Sequence, residues 1–106
     1  HNVEVGEHTV LAAQTGIAGS TKVGGYSQFG GQVGVAGHLT IAPHTRVGGQ
    51  GGITGNITES HQKLTGTPAT DVRTYLKSVA ATRKIPELLK AIEVLQSEIE
   101  NIKSSK

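Results

Sequence analysis

The chain of 106 residues contains no cysteine, and its aromatic side chains are limited to Tyr26, Phe29 and Tyr75. The first absence excludes disulfides and thiolate metal sites. The second argues against a globular core built on large rings, since such rings normally carry much of the buried area. No apolar run approaches the roughly 20 residues that a membrane-spanning helix needs, and no secretory signal is recognisable. The expectation is therefore a cytoplasmic chain without a membrane span. It begins at His1 rather than methionine, which reads as a fragment or a processed product.

Charge is sparse in the first half and concentrated in the second. Residues 1–58 carry two acids and two bases, whereas residues 59–106 carry six acids and eight bases. Five of those bases (Arg73, Lys77, Arg83, Lys84 and Lys90) fall within residues 73–90 against one acid, Glu87. This basic patch is too small and too poor in aromatics to indicate nucleic acid. It is compatible with an acidic protein partner or with an ordinary solvated helix face.

What the chain does have is a period. Val5, Leu11, Ile17, Val23, Phe29, Val35, Ile41, Val47 and Ile53 recur every six residues without a break. The next residue is small each time as far as Gly48, and the fifth position of the hexad is mostly small or β-branched. Such a hexad makes one short strand and one bend, with glycine and alanine expected to relieve crowding where the backbone turns. Three hexads close an 18-residue triangular coil, and coils stack through main-chain hydrogen bonds about 4.8 Å apart. Residues 5–58 thus read as about three coils of a parallel β-helix, a solenoid stabilised by stacking.

An 18-residue coil places particular residues in columns. Gln14, Gln32 and Gln50 share one, suited to an amide ladder; His8, Tyr26 and His44 share a second. His1, Gly19 and Gly37 share a third, next to Asn2, Ser20 and His38. His1 and His38 therefore lie on one strip, two coils or roughly 10 Å apart. Both could reach one small molecule lying across Gly19 and Gly37.

Residues 59–70, "ESHQKLTGTPAT", read as a loop containing Gly66 and Pro68. Asp71 is a suitable N-cap for a first helix over "VRTYLKSVAATRK", and a second is expected to start at Ile85 with Pro86 in its first turn. Ile85, Leu88, Ile92, Leu95, Ile99 and Ile102 are spaced 3, 4, 3, 4, 3, a short heptad seam. So short a helix is marginal alone. The seam is expected to be buried between three copies, in keeping with the symmetry of closed oligomers.

"HNVEVG", "GIAGSTKVGG" and "GGQVGVAGHLTI", with the tail "GTPA…YLK…A…RKIPEL", resemble the C-terminal part of the UDP-3-O-acylglucosamine N-acyltransferase family, of the hexapeptide-repeat acyltransferase superfamily. The resemblance covers essentially the whole chain. It implies a left-handed, mainly β, trimeric β-helix with a helical extension, acting in lipid A biosynthesis of Gram-negative bacteria. The donor it implies is an acyl or 3-hydroxyacyl chain held on acyl carrier protein as a phosphopantetheine thioester, with no resident cofactor or metal. The acceptor is the 2-amino group of UDP-3-O-acylglucosamine.

The residue roles follow from the same resemblance. His1 matches the general base, a role suited to imidazole, whose reference pKa is about 6.5. The Gly19 N–H matches the donor to the tetrahedral oxyanion, and His38 the group that orients substrate or the pantetheine arm. Gly49, Gly51 and Gly52, with Gly48, are candidates to leave a groove for the acyl chain. Arg73, Lys77, Arg83 and Lys84 are candidates to contact the acidic carrier protein. The family's N-terminal uridine-binding domain has no counterpart in these 106 residues.

Two other classes fit parts of the pattern. A zinc enzyme of the γ-carbonic anhydrase type would need three imidazoles, with His1, His38 and His44 the available set, although His44 falls on a different face. A purely structural trimeric module would explain the polar columns, but it does not require histidines at "HN" and "GH".

Overall fold

The computed structural model describes residues 1–105. Nine two-residue strands follow the hexads: β1 (Glu4–Val5), β2 (Val10–Leu11), β3 (Gly16–Ile17), β4 (Lys22–Val23), β5 (Gln28–Phe29), β6 (Gly34–Val35), β7 (Thr40–Ile41), β8 (Arg46–Val47) and β9 (Gly52–Ile53). Each of β1 to β6 pairs in parallel with the strand 18 residues later, as in Val5 with Val23 and Val23 with Ile41. Three sheets result, ordered β1-β4-β7, β2-β5-β8 and β3-β6-β9, so every third hexad stacks on one face. The architecture is the expected parallel β-solenoid.

Val5 and Leu11 at the first coil are exposed, but from Val23 on the large residue of each hexad is buried. Val23, Phe29, Val35, Ile41, Val47 and Ile53 are buried, together with Val33 from the fifth position. Thr21, Ser27 and Thr45 occupy other fifth positions and are completely buried, and their hydroxyls are satisfied. The Thr21 hydroxyl donates to the Ala36 carbonyl at 2.7 Å and accepts from the Leu39 N–H at 3.1 Å. Ser27 donates to Gly24 at 2.9 Å, and Thr45 to Ala42 at 2.7 Å. The core thus combines apolar rungs with satisfied hydroxyls, of which Thr21 and Ser27, the latter by accepting from the Thr45 N–H at 3.3 Å, tie coil to coil, which avoids the cost of an unpaired buried group.

The corners differ from the sequence-based expectation. The residue that turns the chain is neither glycine nor alanine. Asn2, His8, Gln14, Ser20, Tyr26, Gln32, His38, His44 and Gln50 hold it, with φ from 54° to 64°. Left-handed backbone is unfavourable for most L-residues and is best tolerated by Asn, Asp and His after glycine. The compensation is a bond to the coil below: Ser20, Tyr26, Gln32, His38, His44 and Gln50 donate their N–H to His1, Glu7, Ala13, Gly19, Gly25 and Gly31 at 2.8–2.9 Å. Glycine serves close approach instead. A Cβ on Gly24 would lie 2.4 Å from the Pro43 nitrogen of the next coil.

Past Thr58 the expected loop carries ordered structure. Ile57 bridges Ile41. Strand β10 (Lys63–Thr65) pairs in parallel with β8 and antiparallel with β11 (Thr70–Asp71). The Gly52 N–H donates to Gly66, and Ala69 donates back to Gly52, at 2.8 and 2.6 Å. All three faces therefore receive a further rung. Leu64 is buried, and Ile57 and Ala69 pack against the core. The hexad count misses this rung because Leu64 follows Val47 by 17 residues instead of 18. The Thr67–Pro68 peptide is cis.

The chain divides into two compact units, residues 1–75 and 76–106. One continuous helix, α1 (Val72–Ser104), replaces the two expected, with Pro86 inside it. Asp71 caps its start, accepting from the Thr74 N–H at 3.2 Å. No comparable cap precedes Pro86, where Arg83, Lys84 and Ile85 stand. A break there would leave two sets of helix-end groups without partners. Continuing costs one missing N–H and a local clash. None of the residues of α1 is buried, and the seam from Ile85 to Ile102 is exposed.

Candidate active site

The strip predicted from the columns is present. The His1 carbonyl accepts from the Ser20 N–H at 2.9 Å, and the Gly19 carbonyl from the His38 N–H at 2.9 Å. His1, Gly19 and His38 are thereby linked through main chain across three successive coils. A Cβ on Gly19 would sit 3.8 Å from the His1 Cβ and 3.9 Å from its Nδ1. A Cβ there would thus touch the imidazole at ordinary contact distance and press on the His1 carbonyl oxygen at 3.3 Å. A Cβ on Gly37 would lie 3.1 Å from the Gly19 carbonyl oxygen. The absence of both side chains leaves a shelf beside His1.

The shelf carries an available donor. The Ala18 N–H donates to Val35 at 3.0 Å and the Ser20 N–H to His1 at 2.9 Å. Between them the Gly19 N–H has no partner among the described residues. Other corners share this free N–H, so what distinguishes Gly19 is the imidazole next to it. His38 is exposed, with φ of 59°. A histidine is admitted into so regular a stretch because this corner requires a left-handed residue. An imidazole, an unpaired N–H and open space in one place can take up a proton and hydrogen-bond a developing oxyanion.

The other candidates are distributed differently. Gly51 is buried, and a Cβ there would meet Val47 Cγ1 at 2.7 Å; at Gly52 it would meet Thr67 Cγ2 at 2.9 Å, and at Gly49 the Gly31 carbonyl at 3.5 Å. Close packing within and between coils accounts for the first two. Gly48 borders a cleft of about 620 Å³, lined also by Val10, Phe29, Val47, Leu64 and Val72. Arg73, Lys77, Arg83 and Lys84 all lie on α1 and are exposed. His44 belongs to the corner after His38, with its ring against Tyr26 and His61.

Sequence reasoning placed His8, Tyr26 and His44 in one column but omitted His61. The rings form a continuous stack, with centroids 5.0, 5.1 and 4.6 Å apart. The irregular last coil displaced His61 from the 18-residue count. The amide ladder of Gln14, Gln32 and Gln50 is present as expected, at 2.8 and 3.0 Å.

No family model matches the chain. Among curated proteins it is similar to UDP-3-O-acylglucosamine N-acyltransferase of Phocaeicola vulgatus, 62% identical over 103 residues and 97% of this chain. It is 58% identical over its whole length to the protein of that name from Cytophaga hutchinsonii. With that of Nitratidesulfovibrio vulgaris it shares 55% over 105 residues. The chain spans about 30% of the length of each of these relatives.

Proposed function

We propose that this chain, which resembles UDP-3-O-acylglucosamine N-acyltransferases along its full length, contributes the acyl-transfer site of such an enzyme. The observation that carries the reading is the identity to relatives of that name, together with a histidine set beside a free backbone donor at Gly19. The acyl donor is a thioester on the phosphopantetheine of acyl carrier protein. The acceptor is the 2-amino group of UDP-3-O-acylglucosamine.

The amine nitrogen attacks the thioester carbonyl carbon while His1 removes its proton. Charge develops on the carbonyl oxygen, and the Gly19 N–H donates to it. The carbon–sulfur bond then breaks, the pantetheine sulfur leaves and an amide remains. His38, two coils above His1, orients the substrate or the pantetheine arm. The basic side chains Arg73, Lys77, Arg83 and Lys84 offer acyl carrier protein a complementary charge. The exposed seam of α1 supports a homotrimer, since six aliphatic residues at heptad spacing favour burial between copies.

The test is an acyl-transfer assay on a protein of the relatives' full length that carries this chain, comparing wild type with His1→Ala. Acyl-loaded carrier protein and UDP-3-O-acylglucosamine are supplied, and amide product is read by mass. A loss of about a hundredfold or more, with the oligomer intact, is expected for removal of a general base. An unchanged rate removes His1 from that role. Absence of product from the unmutated protein overturns the acyl-transfer reading.

A further inference from the structure

Strand register places opposite charges side by side at one point of the solenoid and like charges at another. Between β1 and β4 the outward partners are Glu4 and Lys22. Between β8 and β10 they are Arg46 and Lys63. Like charges directly opposed on neighbouring strands are unfavourable. Neither cation forms an ion pair among the described residues. Of the nearby carboxylates, Glu59 accepts from Gln62 at 3.3 Å, and Asp71 is the cap of α1.

The two cations face a cleft of about 280 Å³, which they line with Tyr26, His44, His61 and Gln62. The rings of His44 and His61 are stacked at 4.6 Å with their planes 7° apart. His61 Nδ1 is engaged by the Ser60 hydroxyl at 3.1 Å. The His44 imidazole has no hydrogen-bond partner among the described residues. The cleft thus combines a guanidinium, an ammonium, two imidazoles, a phenol and an amide, with no carboxylate in its lining. Guanidinium favours phosphoryl oxygens through its planar fork, and ammonium adds a point charge.

We infer that this cleft, on the corner that follows the His1–His38 strip, is an anion site for a phosphoryl group, held by Arg46 and Lys63 over the His44–His61 pair. The repulsion between two neighbouring unpaired cations is relieved when a phosphoryl dianion occupies the space between them. The site stands on its own geometry and does not depend on the acyl-transfer reading. Only the source of the phosphoryl group does: the diphosphate of a uridine nucleotide or the phosphate of phosphopantetheine presents the same oxygen chemistry.

The experiment is a titration of the full 106-residue chain with inorganic pyrophosphate at constant ionic strength, followed by NMR of the histidine and arginine side chains. Saturable shifts are expected at His44, His61 and Arg46, with His8 at the far end of the ring stack unmoved. Arg46→Gln and Lys63→Gln should each weaken binding about fivefold, the scale of one exposed charge at contact distance. Lys22→Gln should leave binding unchanged. Pyrophosphate should also raise the melting temperature of the wild type but not of the doubly substituted protein, as linkage requires. UDP and 4′-phosphopantetheine, titrated in parallel, assign the source by whichever binds more tightly. Shifts reproduced by chloride at the same ionic strength, or undiminished in both Gln variants, overturn the site.

Discussion

Gly24→Ala is the sharpest test of how the coils are held at their spacing. An added Cβ would lie 2.4 Å from the Pro43 nitrogen, 2.7 Å from the Ala42 carbonyl carbon and 2.7 Å from the Pro43 Cα. All three are backbone atoms, so no side chain can swing aside. Reaching ordinary contact requires the coils to part locally by about 1 Å, against a normal rung spacing of about 4.8 Å. The Gly24 N–H donates to Ile41 across that gap at 2.7 Å, and such a displacement would break the bond, at roughly 1 kcal/mol. With the overpacking itself, the expected destabilisation is about 2 kcal/mol, within the range of about 1–3 for inserted methyl groups. For a chain of this size that lowers the melting temperature by roughly 10 °C. The control is Gly16→Ala, where nothing lies within 4 Å of the added Cβ and the backbone is not left-handed. There the unfolded state loses freedom at no native cost, and stability should rise by up to about 1 kcal/mol. The assay is thermal denaturation by circular dichroism at one fixed protein concentration. If Gly24→Ala melts with the wild type, or if both variants lose the same stability, close approach between coils is not why glycine stands at position 24.

Two further outcomes follow from the core and the helix. Thr21→Val keeps the shape but leaves the Leu39 N–H and the Ala36 carbonyl without the hydroxyl that serves both; it should cost about 1–3 kcal/mol in denaturant unfolding, whereas the same change at exposed Thr58 should be nearly neutral. Ile92→Asp puts a charge in the middle of the exposed seam of α1, and sedimentation should show that association of the chain weakens, while the strand signal of the solenoid persists. An unchanged sedimentation profile would mean that the seam is not the contact between copies.

For the nine hexad strands, order, register and the inward residues were legible in the sequence, whereas the last rung with buried Leu64 was not. A strict period of six with one large aliphatic per hexad has few physical solutions, because each strand can bury that residue only by turning it toward a common axis. The same count put His1 next to Gly19 and one residue out of column with His38. The motifs "HNVEVG" and "GGQVGVAGHLTI" then carried the family resemblance that the curated relatives share. The corner conformation was less legible. Gln and Tyr are not typical left-handed residues, and a bond from each corner N–H to the coil below is visible only once the coils are stacked.

The sequence alone determined the solenoid, since its information is local and periodic: each hexad specifies one strand, one bend and one inward side chain. Tertiary structure decided what depends on bonds between segments out of phase. The last rung forms although its spacing is irregular, because the exposed edges of β7, β8 and β9 supply unpaired backbone groups that any suitably apolar segment can satisfy. That rung brings His61 onto the ring stack and Lys63 beside Arg46. The helix runs through Pro86 because the chain offers no cap there, and an uncapped break would leave more groups unpaired than the proline does.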